Sequence, residues 1–565
     1  MSDSSQKVAV IGIDGGTFRV IEPLLAQGRL PALARLIAKG TKAILRSSVQ
    51  PSSEQAWPAF FTGVNNGKHG IYSFVRKRRG TYDFEFINRS SIQAEDLWSW
   101  VGRFGCESVI VNVPMTYPVR PLNGALVSGL MTPGVSSEYT YPPELRDRIR
   151  RHIPHYQIDL DIQAISLKDD AAIEPFVENI ERMVRSRREV TELLLQDYSP
   201  SLLVVVFAET DRVSHKWWQR SAAASPESAD PTARDILAET YESIDREIGR
   251  LIERLGEGWN YLVMSDHGFA ALGKAFYLNK WLAKEGYVNF RASDKKASLA
   301  FSLARRLNSA AEKWRPLKLL KTSVLTHLPQ IRDRLYSKKG YGKMDWAKTR
   351  AFAFGTMGDI YLNVAGREPE GIVQPGEEYE SLRSEIIAKL DALVDDEGRK
   401  VFSAVYRKEE IYQGPTVEDA PDIIPLIGDG YYRIPIIDLH PHRDSVFTPA
   451  EDPAFLDEGT GAHSMDGIFI ASGPDIRADR LPDSPDIVDL FPTICRLLNC
   501  PLPEHVDGRP LEEILRLETA EPLRAEQPAG AQTAQPPESE EAGEIYSEEE
   551  KKKLEEHLRG LGYID

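Results

Sequence analysis

Four apolar runs punctuate the chain, and each has an acid or an imidazole at one end. KVAVIGI leads into Asp14, SLLVVVFAET into Asp211, and WNYLVMS into Asp266 and His267, while IFIAS follows His463 in GTGAHSMDGIFIASG. Runs of this kind lack the alternation of a strand with one wet face, so they predict strands of a parallel sheet buried on both sides. Ligand-binding residues collect in the crevice at the carboxyl ends of such strands. The pattern therefore predicts that residues from most of the chain's length share one crevice.

Between the runs the period changes. PFVENIERMVRSRREVTELLLQD is a predicted helix leading into the strand before Asp211, and TARDILAETYESIDREIGRLIERLG leads into WNYLVMSDHG. Helix then strand, twice over, is the signature of a parallel α/β sheet. CESVIVNVP and GALVSGLM add two short strands, and ELRDRIRRH a further helix. We divide the chain into a first part of the catalytic core at 1–286, a basic helical insertion at 287–343, a second core part with a companion subdomain at 344–515, and an acidic linker with a short helix at 516–565. The insertion is rich in Lys and Arg with apolar residues at helical spacing, which suits a cap over the core. The linker holds Ala, Pro, Gln and Glu and is too polar to bury a core. Its terminal EIYSEEEKKKLEEHLRGLGYID has a capping serine, then acids, then lysines, as a short helix prefers.

Composition narrows the function classes. The chain has 565 residues, 42% hydrophobic and 27% charged, an ordinary globular balance. A net charge of -16 argues against nonspecific binding to nucleic acid or anionic lipid over the whole surface, and no specific nucleic-acid binding is expected. Three cysteines without paired spacing do not make a disulfide framework. No basic-then-apolar leader precedes the first strand and no apolar run is long enough to cross a membrane, so a cytoplasmic location is expected.

The residues at the strand ends carry the chemistry. Asp14, Asp211, His215, Asp266, His267 and His463 are six carboxylate or imidazole ligands, the donors zinc uses in catalytic sites, and they suffice for two ions. Asp211 and His215 stand four apart in DRVSH, the spacing that aims two helical side chains the same way. A hydroxyl nucleophile is available in QPSSEQAWPAFFTGVNNGKHGIYSF, at Ser52 or Ser53. A serine is weak at its ordinary pKa and gains from a neighbouring divalent ion. One of the two serines could instead cap the helix starting near Glu54.

The ordered set IGIDGG, PSSEQAWPAFFTGVNNGKHG, ETDRVSH, SDHG and GAHSMDG resembles the alkaline phosphatase superfamily, nearest to its type I phosphodiesterase/nucleotide pyrophosphatase branch. The resemblance implies an α/β fold with a mostly parallel central sheet, helices on both faces and a helical insertion. It also implies two divalent metal ions, zinc or manganese, one held by Asp211, His215 and His463 and the other by Asp14, Asp266 and His267. Ser53 would be the nucleophile, giving a phosphoseryl intermediate and hydrolysis of a small phosphodiester or pyrophosphate.

The chain departs from that branch where HGIYSF replaces the segment that supplies a phosphoryl-binding asparagine. Lys68, His69, Asn112 and the basic run Arg76 to Arg79 are the substitutes close in sequence. No cysteine has the sulfatase setting. Two rivals remain, a phosphotransferase or mutase of the same superfamily and a catalytically silent relative. His440 and His442 rank behind His463 as ligands, and His152, His155, His327, His505 and His557 are assigned to surface or packing roles. Residues from Glu518 onward are expected to be dispensable for chemistry.

Overall fold

In the computed structural model of the chain, residues 6–160, 170–230, 233–291, 344–428, 432–433, 445–449, 460–478, 480–516 and 545–561 are described. The apolar runs form the middle of an eight-stranded sheet, in the order Thr41–Arg46, Asp466–Ser472, Trp259–Met264, Lys7–Ile13, Leu202–Phe207, Ser108–Val113, Gly124–Ser128 and Thr140–Tyr141. Lys7–Ile13 lies parallel to both neighbours, with Val10 opposite Val204 on one side and Leu262 on the other. Leu202–Phe207, Ser108–Val113 and Trp259–Met264 are buried at every position, as the unbroken apolar pattern requires. The fold is the mostly parallel α/β architecture expected.

His463 reaches the same edge by a different route. Its following strand, Asp466–Ser472, runs antiparallel to Trp259–Met264 and enters the sheet where the parallel strands leave it. His463 itself lies on Gly461–Ser464, which pairs with Gly268–Ala271 so that His463 faces Phe269 across the ladder.

The three predicted helices appear at Leu145–His152, Asp170–Leu194 and Ile236–Leu255. A smaller four-stranded sheet, Ala351–Phe354, Asp359–Leu362, Ile423–Ile427 and Phe402–Arg407, builds a second apolar cluster with Phe276, Leu282, Tyr287 and Leu390. AFAFGTMGDIYLNV makes its first hairpin, turning at Gly355 and Gly358, whose φ of 88° and 80° favour residues without a Cβ. This sheet meets the segment before Ser53, where Asp359 accepts from Gln50 Nε2 at 2.9 Å.

Of the basic insertion, only 287–291 fall among the described residues, so its expected helices lie outside them, as do His327, His440, His442 and the linker at 517–544. The terminal helix is present at Glu548–Leu561. Among the described residues no helix is long and apolar enough to cross a membrane.

Candidate active site

The helix Ser53–Thr62 begins at the first of the expected nucleophile positions and is buried along its whole length. Ser52 occupies the cap position but makes no side-chain cap bond; its hydroxyl donates instead to the Glu54 carboxylate. Ser53 turns the other way. Its Oγ lies 3.2 Å from His267 Nε2 and 3.4 Å from Asp14 Oδ1, and the residue is fully buried. Trp57, one turn along the same helix, donates its indole N–H to Asp14 Oδ2 at 3.0 Å. One helix thus holds both the hydroxyl and the group that orients the acid beside it.

The six expected ligands meet at this helix end. Asp211 and His215 project from Glu209–Trp217, and Asp211 Oδ1 lies 3.2 Å from His463 Nε2 and 3.6 Å from His215 Nε2. His267 Nε2 stands 3.3 Å from Asp266 Oδ2 and 4.0 Å from Asp211 Oδ1. The rings of His267 and His463 stack at 3.7 Å, and Phe269 packs edge-on against His215 and His463. Among these six residues, two sets of ligand atoms lie close enough to hold an ion: Asp211, His215 and His463; and Asp14, Asp211 and His267. Asp211 therefore sits between the two groups. Asp266 lies beside the second set and anchors it, accepting the Gly15 N–H on Oδ1 at 3.1 Å.

Hydrogen bonds outside the cluster orient the imidazoles. His267 Nδ1 lies 3.1 Å from the Gly268 carbonyl and His463 Nδ1 lies 2.9 Å from the Pro51 carbonyl. A carbonyl only accepts, so each Nδ1 carries the proton and each Nε2 presents its lone pair to the centre. Burial lowers the His267 pKa to about 4 and also lowers that of His463, keeping both rings neutral.

The acids behave as a set assembled for cations. Burial, then the charges of Asp266 and Asp211, push the Asp14 carboxyl well above its usual range. Burial likewise raises Asp266 to about 6, and the Asp211 charge adds to it. Burial would also lift Asp211, but the charges of His215 and Arg212 outweigh it and hold its carboxyl well below the ordinary value. Asp266 Oδ2 is buried and accepts no hydrogen bond. Crowded buried carboxylates, neutral imidazole lone pairs and an oxygen without a donor fit divalent ions.

The expected substrate-binding residues are tied elsewhere. Lys68 pairs with Asp507 and donates to the His505 carbonyl at 2.9 Å. His69 is buried, its pKa lowered to about 3 by burial, and its Nδ1 accepts the Ile71 N–H. Asn112, at a φ of 63°, donates to the Ile158 carbonyl and accepts from the Tyr156 hydroxyl at 2.7 Å. Arg76 and Arg78 pair with Glu85, Lys77 with Glu368 and Arg79 with Asp419, so the basic run is a salt-bridged face.

Three participants were missed in the sequence. Trp57 lies inside QPSSEQAWPAFFTGVNNGKHGIYSF and Arg212 inside DRVSH, and neither motif gives them a role. Glu54, next to Ser53, is fully buried, and burial pushes its acid up to about 7. A charged residue inside an apolar helix was the available signal.

Comparison with known proteins identifies the family and agrees with the fold. Residues 8–435 match the family model described as type I phosphodiesterase / nucleotide pyrophosphatase. A search of curated proteins finds no match. Among solved structures, phosphonoacetate hydrolase from Sinorhizobium meliloti 1021, in complex with phosphonoacetate, is 15% identical and superposes with a TM-score of 0.51, over 87% of this chain and 96% of that one. Human ectonucleotide pyrophosphatase / phosphodiesterase 5 is 14% identical at a TM-score of 0.47, over 91% of this chain and all (100%) of the other. The family match spans well over half of the sequence and takes in Asp14, Ser53, Asp211, His215, Asp266 and His267, so the chain belongs to the type I phosphodiesterase/nucleotide pyrophosphatase family of metal-dependent phosphoester hydrolases, in the alkaline phosphatase superfamily.

Proposed function

We propose that the chain hydrolyses a phosphodiester or pyrophosphate through a covalent intermediate on Ser53. The observation that carries this reading is the placement of Ser53 Oγ against Asp14 and His267 while Ser52 is turned to Glu54. Asp211, His215 and His463 would hold one divalent ion; the resemblance gives the other to Asp14, Asp266 and His267, of which Asp14 and His267 group closely with Asp211 while Asp266 lies 3.3 Å from His267 Nε2. The mixed carboxylate and imidazole donor set favours zinc over manganese. When bound, the ions would supply positive charge for the attacking and leaving oxygens.

The protein's own groups do the remaining work. Ser53 Oγ attacks phosphorus, the bond to the leaving oxygen breaks, and that oxygen departs with a proton. Water then cleaves the phosphoseryl ester and regenerates the hydroxyl. The positive amino end of the helix Ser53–Thr62 would favour the phosphoryl group electrostatically, whereas Lys68 and Asn112 are tied to other partners. Trp57 fixes Asp14, and the carbonyls of Gly268 and Pro51 fix the two imidazoles.

The test is acid quenching of the protein during turnover of a chromogenic phosphodiester, with mass spectrometry of the Ser53 peptide. A phosphoryl adduct on Ser53, absent in Ser53→Ala, supports the reading. Undiminished turnover by Ser53→Ala refutes it. Release of the phosphomonoester product separates a hydrolase from a transferase, which would pass the same group to a second hydroxyl.

A further inference from the structure

The helix at the very end of the chain lies beyond the family match, which stops at 435, yet it docks on the core. Leu554, Leu558 and Leu561 are at most 2% exposed, and Leu558 and Leu561 join the main apolar core. Their spacing of four and three forms one helical stripe. Tyr546, just ahead of the helix, stacks on Tyr117 at 5.9 Å and donates its hydroxyl to the Met131 carbonyl at 2.9 Å. Ser137 donates to Glu550 at 3.2 Å. A tail assigned to the periphery is therefore held by apolar and polar contacts together.

His557, assigned to a surface or packing role in the sequence, points inward from this helix. Its Nε2 lies 3.2 Å from Asp159 Oδ2. Asp159 in turn accepts from Arg212 twice, from Nε at 3.0 Å and from Nη2 at 2.8 Å. The third corner of the same guanidinium, Nη1, donates to Asp211 Oδ2. Arg212 is fully buried, and the Asp159 side chain is 7% exposed. A guanidinium is planar and its fork rigid, so a carboxylate that grips one edge fixes where the remaining N–H groups point.

We propose that the C-terminal helix is a positioning element of the active site, in which His557 sets Asp159, Asp159 sets the plane of Arg212, and Arg212 orients the carboxylate of Asp211. His557 touches none of the reacting atoms and is a positioning residue. The inference rests on the reading of Asp211 as a metal ligand. Displacing the helix would free Asp159 to turn, and the Asp211 carboxylate would lose its fixed direction. An element beyond the matched residues 8–435 thereby reaches the centre of the site.

The experiment uses the full chain with His557→Ala, His557→Gln, Leu558→Glu and Asp211→Asn. Three readouts are taken: kcat and KM on a chromogenic phosphodiester, zinc affinity by competition with a chromophoric chelator, and hydrogen exchange of the 209–217 and 548–561 segments. His557→Ala is expected to lower kcat and weaken zinc binding by about tenfold, the scale of one charge-assisted hydrogen bond, with KM within about twofold. His557→Gln, which retains a donor, recovers most of that loss. Leu558→Glu speeds exchange in 548–561 and in 209–217 together and has the same kinetic effect.

Wild-type kcat and zinc affinity in His557→Ala, or faster exchange in 548–561 with no change at 209–217 in Leu558→Glu, overturns the proposal. Asp211→Asn with undiminished zinc binding overturns instead the ligand reading beneath it, so the two failures are told apart.

Discussion

Asp359→Asn tests how the smaller sheet holds the segment that carries the nucleophile. Asp359 starts the strand Asp359–Leu362, is 3% exposed, and accepts from Gln50 Nε2 at 2.9 Å. Gln50 lies three residues before Ser53 and also donates to the Pro425 carbonyl at 3.1 Å. Burial pushes the Asp359 acid from 3.8 up to about 7; the Gln50 bond opposes this and the nearby Glu54 charge adds to it. The folded protein therefore holds a proton on Asp359 that the unfolded chain releases at a lower pH. Stability is full below the unfolded value, declines as pH rises from about 4 to about 7, and levels off above that.

At roughly 1.4 kcal/mol per pKa unit, the lost stability is about 4 kcal/mol at pH about 8.5 and under about 2 kcal/mol at pH about 5. Asparagine keeps the oxygen that Gln50 needs and carries no charge at any pH. Asp359→Asn is thus expected to stabilise the protein relative to wild type, by about 2 to 3 kcal/mol more at the higher pH than at the lower. Urea unfolding of both proteins at the two pH values, with excess chelator so that metal linkage drops out, measures this difference. An equal effect at both pH values would show that Asp359 does not carry a raised pKa, and a larger gain at the lower pH would reverse its sign.

Three further outcomes are expected. Ser53→Ala abolishes turnover of a chromogenic phosphodiester while bound metal, measured by atomic emission, stays at the wild-type level; Ser52→Ala keeps turnover. Chelation removes activity and zinc restores more of it than manganese, whereas His463→Ala binds about half the wild-type metal because one of two ligand sets is broken. Gly12→Ala places a Cβ 2.5 Å from Trp57 Cη2 and 3.0 Å from Val206 Cγ2, so the indole that orients Asp14 must shift. That overpacking costs about 1 to 3 kcal/mol in thermal unfolding and weakens metal binding in the same variant.

What the sequence displayed and what it hid follow from the range of each interaction. The unbroken apolar runs before Asp14, Asp211 and Asp266 announced doubly buried strands because burial on both faces leaves its mark on every residue of a run. The spacing of Asp211 and His215 announced a helix for the same local reason, and both lie on Glu209–Trp217. The sharing of Asp211 between two ligand groups was not legible, since it depends on where three separate strands end in space. The tail shows the limit most clearly. The stripe of Leu554, Leu558 and Leu561 could be seen to need a partner, but His557 and Asp159 stand 398 residues apart and leave no periodic trace of their meeting. A histidine among glutamates and lysines has the composition of a wet surface, and only the docked helix turns it toward Asp159 and Arg212. Dispensability of the tail is expected from the sequence because no expected site residue lies in it; the hydrogen-bonded chain from His557 through Asp159 and Arg212 to Asp211 is the reason to propose instead that the chemistry responds to it.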